Sequence, residues 1–199
     1  MDIIQLTKTF LNDQVIEKIS TTLGEDHDKT QETTEDVLDL LLGALRKNSA
    51  TSDGAEELNR ALTQDHDGGL LDSLNDYLQW EKPNNVSDNA VNAIGILKHV
   101  LGDKQNAAVE LISQKTGVDK EKVTELLVKL APIAMSLLGK VKKVTGSDAS
   151  GVAWLLTQAA KQQEEKGWFM WIVWKFLDKD GDGRYMDDLL EMAARRMNK

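Results

Sequence analysis

The sequence predicts an all-α, multihelical protein. Apolar residues recur at intervals of three and four along most of the 199 residues, which is the spacing of helices that bury one face. Only two prolines, Pro83 and Pro132, interrupt the chain. Alternating apolar and polar residues between hairpin turns, the pattern typical of strands, do not occur. We therefore expect about ten short helices.

Apolar stripes and helix-ending residues place the clearest of these helices. Gly102 and Gly117 stand where helices end, and Asp119 stands where one begins. Pro132 is suited to the first turn of a new helix. The stripes consist of Val37, Leu38, Leu41, Leu42 and Leu45 in one helix, Ala108, Leu111 and Ile112 in a second, and Val123, Leu126, Leu127 and Leu130 in a third.

A faint internal repeat predicts that the fold has two related helical halves. Short motifs return in the same order about 93 to 97 residues later. They include Leu41-Leu42-Gly43, which returns as Leu137-Leu138-Gly139, and Leu62-Thr63-Gln64, which returns as Leu156-Thr157-Gln158. We expect an N-terminal helical repeat over residues 1–80, a linker over 81–87 and a C-terminal helical repeat over 88–199. Chance similarity among leucine-rich helices is the alternative.

The composition excludes several classes of protein. The 33 acidic residues exceed the 24 basic ones and give a net charge of −9, which argues against nucleic-acid binding. The absence of cysteine excludes disulfides, thiolate zinc sites and cysteine nucleophiles. The N-terminal residues lack the pattern of a secretory signal, and the most apolar stretch has about half of the roughly 20 residues that a spanning helix needs. We therefore expect a cytoplasmic protein without a membrane partner.

One loop has the ligand spacing of a metal site. Residues 178–183, Asp-Lys-Asp-Gly-Asp-Gly, place carboxylates at positions 1, 3 and 5 and glycine at position 6, as in the EF-hand calcium motif. Alternate residues of such a loop point inward and offer oxygens to a hard cation, while glycine allows the sharp turn. The predicted metal ligands are Asp178, Asp180, Asp182, the backbone carbonyl of Arg184, and Asp188.

This EF-hand-like loop between the last two helices is shortened by one residue. Leu189 stands at position 12, where a bidentate glutamate is usual, so Asp188 closes the predicted coordination sphere. We expect weak Ca²⁺ binding, with a dissociation constant on the order of 10⁻⁵–10⁻³ M. A solvated acidic turn that caps a helix is the alternative. A related turn in the first half, with Asp65, Asp67 and Asp72, lacks one ligand and is less suited to bind a cation.

Three tryptophans precede the calcium-type loop. Trp168, Trp171 and Trp174 are spaced by three residues and share one broad face of a predicted helix. Apolar residues also cover the other faces of this segment, which favours burial in the core. A surface for a protein partner or for self-association is the second interpretation. Anchoring at a membrane interface is the third, although few basic residues lie nearby to attract anionic lipid.

The histidines do not form a recognisable zinc pair. His27, His66 and His99 lack the four-residue spacing of such a pair on a helix. His66, between Asp65 and Asp67, fits a polar turn or, alternatively, a general base or metal ligand. We expect His99 near the core. The motifs of serine hydrolases, phosphate-binding glycine loops and zinc hydrolases are missing, so no catalytic residue is assigned.

A series of short motifs occurs in a fixed order along the chain. They are Gly43-Ala44-Leu45, Asp53-Gly54-Ala55, residues 65–72, residues 95–102, Thr116-Gly117-Val118, Leu130-Ala131-Pro132 and the ending over residues 176–190. Together they resemble the bacterial YidB-like proteins, domain-of-unknown-function family 937. The resemblance implies an all-helical bacterial protein and a shortened acidic loop that relatives share and that Asp188 closes. It implies no activity.

Two functional hypotheses follow. The first is a calcium-binding structural or protein-interaction module, in which a cation relieves the repulsion among the loop aspartates and fixes the angle between the flanking helices. The second is a hydrolase or lyase that uses Asp65, His66 and Asp67 in a cleft between the halves. A deep pocket with a strongly shifted carboxylate near His66 would favour the enzyme. A flat apolar groove beside the tryptophans would favour partner binding.

Overall fold

The computed structural model describes residues 3–79, 81–84 and 86–164. Within these ranges the chain forms nine α-helices and three short 3-10 segments, and no strand, so the predicted all-α fold is confirmed. The helices are α1 (Ile3–Phe10), α2 (Asp13–Leu23), α3 (His27–Asn48), α4 (Ser52–Gln64), α5 (Leu74–Leu78), α6 (Ala93–Val100), α7 (Gln105–Thr116), α8 (Lys120–Thr145) and α9 (Ala149–Glu164). The 3-10 segments are Gly69–Ser73, Asn89–Val91 and Gly102–Lys104.

Local capping explains where several helices begin and end. The side chain of Asn12 accepts a hydrogen bond from the amide of Val15 at the start of α2, and Thr51 accepts one from Gly54 at the start of α4. Gly117 ends α7 in the left-handed conformation, with φ of 68°, which costs a glycine little because it has no Cβ. The predicted start of α8 at Asp119 is also confirmed.

Pro132 does not begin a helix, contrary to the prediction from its sequence context. It lies in the middle of α8, which continues for 26 residues from Lys120 to Thr145. A proline inside a helix removes one backbone hydrogen bond and costs about 3 kcal/mol. The neighbours Leu130 and Ile133 are fully buried, and the burial of two such side chains stabilises the helix by a comparable amount. Tertiary packing therefore outweighs the local preference of proline.

One apolar core holds the helices together, with α3 and α8 at its centre. All the residues of the three predicted stripes are buried, so these predictions are confirmed. The helix α8 packs against α1, α3, α4, α6, α7 and α9, and the core includes residues of both predicted halves. The order of short helix, left-handed glycine and long helix occurs twice, as α2, Gly24 and α3 and as α7, Gly117 and α8. The division into two related halves stays a prediction.

Two charged side chains are buried in this core, and each has partners. Asp36 on α3 accepts hydrogen bonds from Lys115 Nζ on α7, at 2.7 Å to both carboxylate oxygens, although burial raises its pKa to about 6. Lys129 Nζ on α8 donates to the carbonyl of Leu78 at 2.6 Å. Because Leu78 is the last residue of α5, its carbonyl has no hydrogen-bond donor within the helix, and Lys129 supplies one. Both contacts fix short helices to the long central ones.

None of the described helices is long and apolar enough to cross a membrane. The Trp168–Trp174 segment and the calcium-type loop at residues 178–188 lie outside the described residues. The predicted ligands Asp178, Asp180, Asp182, Arg184 and Asp188 therefore stay a prediction, as does a partner or self-association surface at Trp168, Trp171 and Trp174.

Candidate functional site

A cleft of about 480 Å³ opens between the end of α3, helix α4, the turn after α4, and helix α6. Its volume lies within the range of roughly 300–1,000 Å³ that is common for small-molecule sites. The apolar lining residues are Leu45, Leu58, Ala61, Ile96, Val100 and Met135, and the polar ones are Asn48, Glu57, His66, Asn89, Asn92 and His99. Such a lining, mostly aliphatic with a few polar groups, is typical of a binding site.

Close contacts between helix ends shape one wall of the cleft. A Cβ added to Gly54 would lie 1.9 Å from the carbonyl oxygen of Asn48, so only glycine lets α4 begin this close to the end of α3. The side chain of Asn48 also donates to the carbonyl oxygens of His99 and Val100, at 3.1 and 3.2 Å. Asn48 therefore joins the C-terminal ends of α3 and α6, and the cleft lies beside this junction.

His66 lies in the turn after α4 and is buried, with 5% of its surface exposed. Its backbone amide donates to the carbonyl of Ala61 at 3.1 Å, which continues the end of α4 into the turn. On the other side, a Cβ added to Gly139 of α8 would lie 1.6 Å from the carbonyl oxygen of His66. The missing side chain at Gly139 thus lets the turn pack directly on α8 and places His66 at the cleft. Sequence reasoning favoured a polar turn here, and a buried imidazole was not foreseen.

The imidazole of His66 has an unsatisfied nitrogen. Nδ1 is buried and has no hydrogen-bond partner among the described residues. Burial lowers the pKa of His66 below its usual value, and the nearby charge of Asp65 opposes this shift only in part. The ring is therefore neutral near pH 7, with one nitrogen that donates and one that accepts. Leaving such a group buried and unpaired costs about 1–3 kcal/mol.

The three carboxylates of the acidic turn around His66 each have a different polar partner. Lys143 Nζ donates to Asp67 at 2.9 Å, and this bond holds the pKa of Asp67 below its usual value. Lys140 Nζ lies 3.5 Å from Asp72, and the side chain of Asn89 donates to Asp65 at 3.1 Å. The three carboxylates thus turn to different partners. In the part of the chain that the structure describes, no three histidine, aspartate or glutamate side chains could share a metal ion.

His99 is not a core residue, contrary to the sequence interpretation. Its side chain is 67% exposed and lies at the cleft, where Nε2 is 3.8 Å from Glu57 Oε2. The buried face of α6 consists of Ala93, Ile96, Leu97 and Val100, and position 99 falls beside this stripe. The spacing of the apolar residues could therefore have placed His99 outside the core.

Only part of the predicted Asp65-His66-Asp67 arrangement reaches the cleft. His66 lines it, whereas Asp65 and Asp67 do not. A cleft lies beside His66, but the pKa of Asp67 is lowered, and a general acid would need it raised. Sequence reasoning missed Glu57 and the three asparagines. Asparagine at a helix end is an ordinary cap, so no pattern in the sequence distinguishes these positions.

Comparison with known proteins agrees with the motif resemblance. A family model described as a bacterial protein of unknown function, DUF937, matches residues 5–141. This range contains every residue that lines the cleft and ends before the calcium-type loop. Searches of curated proteins and of solved structures gave no match. Because the matched region is more than half of the chain, the protein belongs to the DUF937 family of bacterial proteins.

Proposed function

We propose that this DUF937 protein binds a small molecule in the cleft between α3, α4 and α6, and that His66 is the hydrogen-bond partner of the ligand. The observation that carries the proposal is the imidazole of His66, which is 5% exposed and neutral near pH 7 and yet lines a cleft of about 480 Å³. A few polar groups among apolar lining residues are what orient a ligand in such a site.

The energetics support this interpretation. A hydrogen bond between the ligand and the imidazole contributes about 0.5–1.5 kcal/mol. The aliphatic residues around the imidazole add apolar contact. Because the turn that carries His66 is fixed between α4 and Gly139 of α8, little ordering is needed when the ligand enters.

The lining favours binding over a hydrolase or lyase. None of the described residues that line the cleft is serine, threonine, cysteine, lysine or tyrosine, so the common side-chain nucleophiles of covalent catalysis are missing. His66 remains capable of acting as a base, but the pKa of the neighbouring Asp67 is lowered by its bond from Lys143. The proposed function is therefore recognition of a ligand without a chemical step.

A fragment screen tests the proposal. The full chain is mixed with a panel of small neutral, anionic and cationic fragments, and saturation-transfer NMR detects those that bind. We expect binders whose signal disappears in Ala61→Phe, which fills the cleft, and persists in Thr63→Phe. Thr63 is the matched control because it lies on α4 but is exposed to solvent. If no fragment distinguishes the two variants, the proposal is wrong.

A second candidate function rests on the sequence of residues 178–183. We propose that this loop binds Ca²⁺ weakly through Asp178, Asp180, Asp182, the carbonyl of Arg184, and Asp188. The alternation of aspartates followed by glycine supports the proposal, and it would serve a structural or protein-interaction role in which Trp168, Trp171 and Trp174 offer a surface to a partner or a second copy.

Thermal unfolding in EDTA, Ca²⁺ and Mg²⁺ tests the metal site. At about 100 times the dissociation constant, bound calcium stabilises the folded state by roughly 2.7 kcal/mol, which raises Tm by about 5–10 °C for a chain of this size. The shift should be selective for Ca²⁺ and absent in Asp180→Ala. Sedimentation with and without Ca²⁺ reports self-association. The same Tm in all three solutions, up to millimolar calcium, rejects the metal site.

A further inference from the structure

We infer that the ligand of the cleft is an uncharged, mainly aliphatic molecule that carries a hydroxyl group, and that this hydroxyl hydrogen-bonds to the imidazole of His66. The inference rests on the proposed binding function and assigns the chemical class of the ligand. Three features of the cleft support it: the nature of its apolar residues, its lack of a compensating cation, and the hydrogen-bonding capacity of a neutral imidazole.

The apolar part of the lining is aliphatic. Leu45, Leu58, Ile96, Val100 and Met135 are all buried residues of the core that border the cleft. None of the described lining residues is phenylalanine, tyrosine or tryptophan. Flat ligands such as nucleobases are usually bound by stacking on such rings. The cleft therefore fits a saturated hydrocarbon body better than a flat aromatic one.

The charges around the cleft disfavour an ionised ligand. The described lining contains no lysine or arginine, so a carboxylate or phosphate would lose its hydration without gaining a permanent cation, which is costly. His66 is a poor substitute because its burial already opposes protonation. Glu57 could attract a cation, but its side chain is 57% exposed and lies 3.8 Å from His99. A buried ammonium group would thus also lack a compensating charge close to it.

A hydroxyl group suits the neutral imidazole of His66 better than an ether or a ketone does. In a neutral imidazole, one ring nitrogen donates and the other accepts, and the tautomer decides which. A hydroxyl both donates and accepts and is free to rotate, so it pairs with the nitrogen that it meets in either tautomer. An ether or ketone could pair in only one of the two tautomers. The single hydroxyl also leaves the rest of the ligand free to contact the aliphatic wall.

Three six-membered-ring probes of similar size test the inference on the ¹⁵N-labelled full chain. Cyclohexanol, cyclohexanecarboxylate and cyclohexylammonium are titrated at pH 7.5, and the backbone amide signals of Ala61, His66 and Ile96 are followed. We expect cyclohexanol to shift these signals with a dissociation constant at least about tenfold lower than that of either charged probe. The shifts should persist in Thr63→Phe and vanish in Ala61→Phe.

The imidazole itself gives a second measurement that needs no substitution at His66. At saturating cyclohexanol, a side-chain ¹⁵N resonance of the His66 imidazole should move, because a hydrogen bond forms at a ring nitrogen. Backbone shifts without a change at either ring nitrogen would overturn the assigned contact.

The outcomes separate this inference from the proposed function. Tighter binding of either charged probe at these amides overturns the ligand class but leaves a binding cleft. Failure of all three probes, while a fragment from the screen binds the cleft, also overturns only the ligand class. If neither the probes nor the fragments reach the cleft, both proposals are wrong.

Discussion

Replacing Gly139 by alanine should destabilise the protein, although helix propensity alone predicts the opposite. Gly139 lies inside α8, where alanine is intrinsically favoured over glycine by about 1 kcal/mol. The added Cβ would, however, lie 1.6 Å from the carbonyl oxygen and 2.8 Å from the carbonyl carbon of His66. Both contacts are with backbone, so the turn must move away from α8 as a unit.

The expected magnitude follows from these two opposing effects. Overpacking in a dense core typically costs 1–3 kcal/mol and can cost more, and a required displacement of more than 1 Å at a backbone atom belongs at the upper end of that range. After the gain in helix propensity, we expect a net loss of about 2 kcal/mol in the free energy of unfolding. For a chain of this size, this corresponds to a Tm lower by about 4–8 °C.

Thermal and urea unfolding of Gly139→Ala measure this loss directly, with Gly95→Ala as the matched control. Gly95 is also inside a helix, and its added Cβ would meet only the side chain of Asn92. Displacing that side chain weakens its cap hydrogen bond to the Gly95 amide, a cost of about 0.5–2 kcal/mol that the gain in helix propensity offsets in part or in full. The control should change stability by less than about 1 kcal/mol. A Tm of Gly139→Ala equal to or above that of the wild type would refute the close packing of the His66 turn on α8.

Three further predictions concern single side chains. The pKa of Asp36 is raised to about 6 in the folded state, so between about pH 4 and 6 the folded protein holds a proton that the unfolded chain has lost, and stability should fall as pH rises through this interval. The free energy of unfolding of Asp36→Asn, measured in urea at several pH values, should therefore rise by up to about 3 kcal/mol relative to that of the wild type between pH 4 and 6. If the difference in free energy between the two proteins does not change with pH, the prediction is wrong. For His66, whose pKa is lowered, NMR titration should give a midpoint below about 6.5, and stability should fall as pH drops through 6.5 toward that midpoint; an ordinary or raised midpoint would show that the imidazole is not desolvated. Asn48→Ala, which removes two hydrogen bonds to the end of α6, should cost about 1–2 kcal/mol in chemical unfolding, and a change below 0.3 kcal/mol would mean that Asn48 does not join α3 to α6.

The sequence was sufficient for features that depend on neighbouring residues. The apolar stripe from Val37 to Leu45 and the one from Val123 to Leu130 predicted buried helix faces, because a helix repeats every 3.6 residues wherever it packs. Gly117 predicted a helix end for a similar reason, since its left-handed conformation closes the last turn locally. The family could also be identified from short motifs in their order along the chain.

Tertiary contacts decided the features that depend on distant residues. Helix α8 continues through Pro132 because the residues around the proline are buried by several other helices. A prediction based only on the neighbours of Pro132 in the sequence contains no information about that burial. The turn of His66 is buried because α8 offers Gly139 at the point of contact, more than 70 residues later. In the same way, Asp67 is paired with Lys143 and is not free to share a cation with Asp72.

The sequence by itself thus determined the helical class, the core stripes and the family of this protein, because hydrogen bonds and apolar periodicity within a helix are local. Only the tertiary structure decided that an imidazole from a polar turn lies buried beside an aliphatic cleft. That arrangement depends on the close approach of a turn and a helix, which requires a missing side chain on α8. The reason for a glycine at position 139 is therefore evident only from its contact with the backbone of His66 in the folded protein.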